Sequence, residues 1–148
     1  MSALAHVLAS RIEIRNSVFL GRVNFINSIF REPLDLSGST FRQEASFSSA
    51  TFLAMVSFAS AHFQEDALFD GTAFMKTADC SAASFQREIT FAGASINKMR
   101  LSSAQISGQL SLQNAEFNRL EARWPVLCNH LRYDGETYLS LARNYRNL

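Results

Sequence analysis

An all-β solenoid is the fold class this sequence predicts, and three observations predict it. The first is a spacing. In SFSSATFLAMVSFASAHFQEDALF, residues 46–69, phenylalanine stands at 47, 52, 58, 63 and 69. Steps of five and six alternate, whereas an amphipathic helix needs steps of three and four and a strand needs two. The second is extent. The pattern runs through Ile14, Phe19, Phe25, Phe30, Leu36, Phe41, Phe47, Phe52, Phe58, Phe63, Phe69, Phe74, Cys80, Phe85, Phe91, Ile96, Leu101, Ile106, Leu112 and Phe117, and all 13 phenylalanines of the 148-residue chain fall on it. One step is short, the five residues from Ile96 to Leu101. The third is a companion lattice two residues ahead. It reads Ser28, Ser39, Ala50, Ala61, Thr72, Ala83, Ala94, Ala104 and Ala115 before one set of large residues. Before the other set it reads Val23, Leu34, Ala45, Val56, Ala67, Ala78, Ile89, Met99 and Leu110.

Residues two apart in a short extended segment point to the same side, so both lattices face inward and the polar spacers between them face out. A unit of five or six residues is too short for a helix-turn-helix or a propeller blade. It suits one side of a coil that turns a corner after every unit.

The units SATF (49–52), SAHF (60–63), AASF (82–85) and NAEF (114–117) resemble the pentapeptide-repeat family, whose consensus is Ala-(Asp/Asn)-Leu/Phe-X-X. The resemblance covers roughly residues 12–117. It implies a right-handed, four-sided β-helix, and the 20 units then make about five coils. With four units per coil, every fourth lattice residue stacks in one column. The columns read Phe19/Phe41/Phe63/Phe85/Ile106, Phe25/Phe47/Phe69/Phe91/Leu112, Phe30/Phe52/Phe74/Ile96/Phe117 and the mixed Ile14/Leu36/Phe58/Cys80/Leu101. Such sorting follows if coils lie about 4.8 Å apart, where like rings stack offset. Cys80 reads as a small corner hydrophobe.

The corners sort with the columns. After the first come RQE (42–44), QED (64–66) and QRE (86–88), a charged ridge of mixed sign. After the fourth and second come small residues such as SG (37–38), AS (59–60), SS (48–49), DG (70–71) and AG (92–93), which tight turns require.

A solenoid needs caps. Residues 1–11 read as an N-terminal cap, with a short helix in ALAHVLAS, residues 12–117 as the solenoid, and residues 118–148 as a C-terminal helical cap. In that cap Leu120, Trp124, Leu127 and Leu131 follow at helical spacing, with Pro125 suited to a first turn. Asp134 is a candidate N-cap for a second helix carrying Tyr138, Leu141, Ala142, Tyr145 and Leu148, so the cap reads as an α-helical hairpin. The stripe is still in register at the last residue, so the sequence reads as part of a longer natural chain. WPVLCNHLRYDGETYLSLARNYRNL (124–148) also resembles a segment that follows pentapeptide repeats in some larger microbial proteins. In those, further helices and sometimes a membrane, channel-like part come next.

Catalysis finds no constellation. His6, His62 and His130 lie in three segments without Cys or carboxylate at ligand spacing, and Glu65–Asp66 belongs to the mixed ridge. No serine sits in a Gly-x-Ser-x-Gly elbow and no phosphate-loop spacing occurs. No catalytic, cofactor-binding or metal residue is therefore assigned, and no enzyme is read. Cys80 and Cys128 match no metal spacing and read as reduced thiols of a cytosolic protein. MSALAHVLASR lacks the basic n-region of a secretory signal, and no apolar run approaches the roughly 18–20 residues of a membrane span.

The function expected is a non-enzymatic structural and protein-interaction scaffold, cytoplasmic and part of a larger, membrane-associated protein. Its expected partners are a protein of unknown identity and a second copy, bound through Trp124, Tyr138, Leu141 and Tyr145. The alternative comes from the resemblance, since some members of the family imitate duplex DNA and bind type II topoisomerases such as DNA gyrase. Five coils at about 4.8 Å span roughly 24 Å, over which duplex DNA carries about 14 negative charges. Residues 14–117 hold nine acidic and eight basic side chains, and the whole chain has a formal net charge of +1. Charge mimicry finds little support in those numbers, and neither nucleic acid nor anionic lipid is favoured as a direct partner.

Overall fold

In a computed structural model, which describes residues 6–131, the chain winds from His6 to Glu121 as a β-solenoid of about five coils. Every strand pair among the described residues is parallel, and successive coils align 22 residues apart up to Ile96, as in Thr40 with His62 and Phe41 with Phe63, and 21 apart beyond it, as in Ser84 with Gln105. Most strands are two residues long, such as Thr40–Phe41 and Val56–Ser57, because a corner follows each one. Four ladders of strands form the four sides. The ladders through Phe19 and through Val23 are separate five-stranded sheets, while the other two join into one nine-stranded sheet. Parallel pairing at a fixed shift places each residue on its equivalent one coil below, so the columns read from the sequence are the columns of the core.

The rings stack as their spacing predicts. Phe19, Phe41, Phe63 and Phe85 follow one another with centroids 4.8, 4.5 and 4.9 Å apart and planes within 10° of parallel. Phe30, Phe52 and Phe74 do the same at 4.8 and 5.2 Å. The mixed fourth column has a geometric reason. Phe58 lies edge-on to Phe47 and Phe69, with centroids 5.2 and 5.5 Å away and planes near 70° apart. One ring reaching across the core in this way occupies the space that a stacked ring above or below it would need. Its neighbours in the column are the smaller Leu36 and Cys80, both buried.

Corners of five and six residues differ in backbone. Each five-residue step, except the shortened one from Ile96 to Leu101, holds a residue in the left-handed region two positions after the large one. These are Asn16, Asn27, Gly38, Ser49, Ser60, Gly71, Ala82, Gly93, Ser103 and Asn114, with φ between 52° and 68°. The next amide closes the turn on the large residue's carbonyl, as in Ala50 N–H to Phe47 O at 3.0 Å, the pattern of a type II turn. The residue that closes it belongs to the small lattice and is buried, which is why Ser, Ala or Thr stands there. Two of these also bond downward: the Ser39 hydroxyl donates to Ile14 O at 2.9 Å and that of Thr72 to Phe47 O at 2.8 Å. Six-residue steps contain no positive φ and make the wider corners. At one of them Gly108 passes so close to Arg87 that a Cβ would overlap the Arg87 carbonyl, whereas a Cβ on Gly21 would meet nothing within 4 Å.

The short step after Ile96 is absorbed on the other side of the ladder. Phe74 pairs with Ile96 and Thr77 with Lys98, so Met75 and Lys76 together oppose Asn97 in a bulge. From there the wide corner straightens. Ala73–Asp79, Ser95–Arg100 and Glu116–Glu121 run as continuous strands over what are two sides in the coils below.

Both boundaries of the solenoid move outward from their sequence-based positions. His6–Leu8, expected in a helix, is a strand paired with Ser28–Phe30, and Leu8 stacks beneath Phe30 as a further member of the third column. Leu120, expected on a helical stripe, lies in a strand opposite Met99 and continues the companion lattice. A helix does follow at Trp124–His130, with Pro125 in its first turn, and packs over Gln105–Ile106. Leu131 then bridges Leu110 in parallel, so the chain returns to the solenoid path one coil later. The second helix expected after Asp134 lies outside the described residues, and the hairpin as a unit with it.

Replacing Phe63 with Ala, mid-stack and 1% exposed, is expected to lower unfolding stability by about 3–5 kcal/mol, because fixed coils cannot collapse into the hole. Phe19→Ala, at the partly exposed end of the same column, is expected to cost markedly less. Denaturant titration of both variants measures the difference.

Candidate functional site

With the interior filled by the four columns, the surfaces available for chemistry or binding are the corners, the outward faces and the two ends. The fourth side and its wide corner carry a charged network. Glu121 receives Lys98 Nζ at 3.0 Å, Arg119 at 3.1 Å and Arg100 Nε at 3.2 Å. The Lys98 hydrogen bond and the three cations hold the Glu121 carboxyl below its ordinary pKa. At the opposite end Arg15 Nε meets Asp35 at 2.6 Å, while Arg11 and Arg15 both reach Glu13, at 2.5 and 3.6 Å. Partial burial works against the Asp35 charge, yet hydrogen bonds from Ser37 and Arg15 bring its pKa below the ordinary value.

Asp35 also shows what a short polar residue before the large one does. Its Oδ1 accepts the N–H of Ser37 at 3.0 Å, and Asn24 does the same for Ile26 and Asp79 for Ser81. Ser57 and Thr90 accept the equivalent N–H with a hydroxyl. A short polar side chain there satisfies an amide that the corner leaves without a strand partner. Some of these spacers are enclosed rather than outward: Ser46, Thr90 and Ser111 are buried.

The mixed ridge lies where the sequence places it. Arg87 comes within 3.9 Å of Glu65, and Asp66 Oδ1 accepts the Glu88 N–H at 3.2 Å. The Arg87–Glu65 pair is exposed and of the kind worth about 0–1 kcal/mol. The described histidines stand apart. His62 Nδ1 lies 2.8 Å from the Ser84 hydroxyl, and His130 Nδ1 donates to Gly108 O at 3.2 Å, which ties the helix to the corner beneath it. Among the described residues no group of three His, Cys, Asp or Glu could hold a metal ion. No helix among them is long and apolar enough to cross a membrane. Of the expected dimer residues, Tyr138, Leu141 and Tyr145 and the side chain of Trp124 lie outside the described residues.

One surface feature escaped the sequence pattern. Outward positions are not all polar: Val7, Val18, Leu20, Ile26, Leu53, Met55 and Met75 are exposed. Leu53, Met55 and Met75 flank the wide corner of the third side in neighbouring coils. The other four belong to the first coil. A period that sorts inward from outward has no means of marking which outward residues are apolar for a reason.

The family model described as pentapeptide repeats, in nine copies, matches residues 36–84. Residues 36–84 are thus similar to pentapeptide repeats and wind as part of a β-helix. The matched stretch holds the most regular coils of the solenoid, ahead of the short step at Ile96, and the same coil geometry continues beyond it in both directions, to His6 and to Glu121. No curated protein matches the chain.

Cys80 is fully enclosed, and burial, with Asp79 beside it, pushes its thiol up to about 12. Alkylation of the native protein at pH 8 is expected to leave Cys80 unmodified, with modification only after denaturation. Peptide mass spectrometry reads this site by site, and rapid native labelling would show that the fourth column opens.

Proposed function

We propose that this pentapeptide-repeat chain is a non-enzymatic scaffold that presents its corners to a protein partner. One observation carries the reading. The interior is a closed stack of side chains, while Leu53, Met55 and Met75 stand 43–53% exposed on one corner of the most regular coils. Apolar side chains grouped on a rigid surface mark sites of protein contact more often than sites of chemistry. Rigidity supports the same reading, because a surface already ordered loses little entropy on binding. The cytoplasm is the proposed location and a larger, membrane-associated protein the proposed context, as the sequence of residues 124–148 suggests.

Charge separates this proposal from duplex-DNA mimicry. Mutually paired clusters at Glu13 and Glu121 and a ridge of mixed sign give no continuous anionic stripe to imitate phosphates. The protein is expected to leave DNA gyrase supercoiling unchanged, and to capture a protein partner whose binding is lost in Leu53→Glu/Met75→Glu. Supercoiling assays and pull-downs with the folded variant test both halves. Dose-dependent inhibition of supercoiling that added salt abolishes, or equal capture by wild type and variant, would overturn the proposal.

A further inference from the structure

Five- and six-residue steps alternate, so the two wide corners lie on opposite edges of the four-sided coil. They differ in charge and in apolar content. Residues 42–44, 64–66 and 86–88 set Arg42 and Arg87 against Glu44, Glu65, Asp66 and Glu88, with no apolar side chain among them. The corner after the third column sets Arg31, Lys76, Lys98 and Arg119 against Glu32 alone. This second corner is also sorted along the solenoid axis. Leu53 is followed one coil on by Met75 and then by Asn97 and Asn118, while Met55 is followed by Thr77, Lys98 and Arg119. Apolar side chains therefore come first and amides and cations follow, over roughly 14 Å at about 4.8 Å per coil. The cations outnumber their partners. Lys98, Arg100 and Arg119 share the single carboxylate of Glu121 at 3.0–3.2 Å, and Asp79 adds only a contact of 3.8 Å to Arg100. Lys98 and Arg119 stand side by side in register, where like charges repel. Lys76 is exposed and has no ion pair among the described residues.

We propose that this corner binds an acidic amphipathic segment of a partner protein, with apolar side chains against Leu53, Met55 and Met75 and carboxylates reaching Lys76, Lys98 and Arg119. The inference rests on the scaffold reading and adds to it the chemistry of the partner and the direction in which it lies. Surplus positive charge at one end of the corner calls for carboxylates, and the Arg119 side chain, 64% exposed, still has guanidinium donors to offer them. The other end calls for Leu, Phe or Met, to which the flexible thioethers of Met55 and Met75 adapt. A second copy fits poorly, because its acidic corner has no apolar residue to meet Leu53 and Met75. A bilayer fits poorly as well. It takes apolar and basic side chains together at one depth, whereas these are separated along a convex edge that carries Glu32 at its apolar end. A segment laid along the axis meets both groups in turn.

Selection from a displayed random library of peptides of about 10 residues, long enough to span the corner at roughly 3.3 Å each, tests it on the folded protein. Enriched peptides are expected to carry Leu, Phe or Met toward one end and Asp or Glu toward the other. Fluorescence anisotropy of one such peptide, resynthesised, is expected to show binding weakened about tenfold in Lys76→Glu/Arg119→Glu and by added salt. Arg42→Glu/Arg87→Glu, on the opposite corner, is expected to bind as wild type does. All four side chains are exposed, so the circular dichroism spectra are expected to stay unchanged. Lys76→Ala, which leaves the Glu121 cluster intact, is expected to weaken binding in the same direction. In the free protein hydrogen peroxide is expected to oxidise Met55 and Met75 before the buried Met99, and the bound peptide to protect the first two. Enrichment of neutral or basic peptides, or of none, would overturn the proposal, as would equal binding by wild type and Lys76→Glu/Arg119→Glu. So would phosphatidylserine vesicles that displace the peptide, or a free protein in which Met75 resists oxidation as well as Met99 does. Failure of the scaffold reading shows elsewhere, in equal capture of a protein by wild type and Leu53→Glu/Met75→Glu.

Discussion

Parallel pairing between coils, at a shift of 22 residues up to Ile96 and 21 beyond it, is the constraint on which the other features of this molecule depend. Once Thr40 lies beside His62, Phe41 must lie over Phe63, and the same shift repeated builds a column. A strand spacing of about 4.8 Å is also a good distance for offset aromatic stacking. Backbone and side chains therefore favour the same geometry, which explains why a chain with 13 phenylalanines holds only three tyrosines and one tryptophan. A hydroxyl or an indole N–H in the middle of a stack would need a partner that the column cannot supply. Phe58 shows how much freedom remains: one ring can turn edge-on, provided that its column neighbours are small.

Corners divide the labour. Five-residue corners fix the cross-section, since each needs a left-handed residue followed by a small one, and the ten such turns vary only among Asn, Gly, Ser and Ala. Six-residue corners carry no comparable demand, and there the sequence diversifies into the mixed ridge, the Leu53–Met55–Met75 group and the Lys98–Glu121 cluster. Variation that could distinguish one partner from another is thus confined to surfaces where it leaves the register alone. The bulge at Met75–Lys76 marks the limit of that tolerance. Losing one residue after Ile96 straightens the corner into long strands but leaves Ala78 opposite Met99.

Most of this architecture is legible in the sequence because a period of five and six is enforced at every turn, and a single departure stands out. The ends are less legible. His6–Leu8 is a three-residue strand whose Leu8 continues the third column, yet HVL amid alanines carries equal helical character, and pairing with Ser28–Phe30 decides it. Leu120 fits both the companion lattice and a helical stripe with Trp124 and Leu127, and the ladder with Met99 decides it. Pro125 lies in the first turn of Trp124–His130, where a fixed φ and a missing N–H are suited. The candidate binding surfaces were the least legible part. Leu53 and Met75 stand 22 residues apart at outward positions, so the period places them on one corner, but it does not account for an apolar side chain facing out there.

If stacking within columns supports the fold beyond the area it buries, adjacent rings must be energetically coupled. A double-mutant cycle on Phe41 and Phe63, whose centroids lie 4.5 Å apart, tests this most directly, with Phe41 and Phe85, two coils apart, as reference. Replacement by Leu keeps an apolar side chain and removes the ring. The account predicts a favourable coupling of about 0.5–1.5 kcal/mol for the adjacent pair and additivity within about 0.5 kcal/mol for the distant one. Additivity for both pairs would mean that the rings serve only as bulk, and would contradict it.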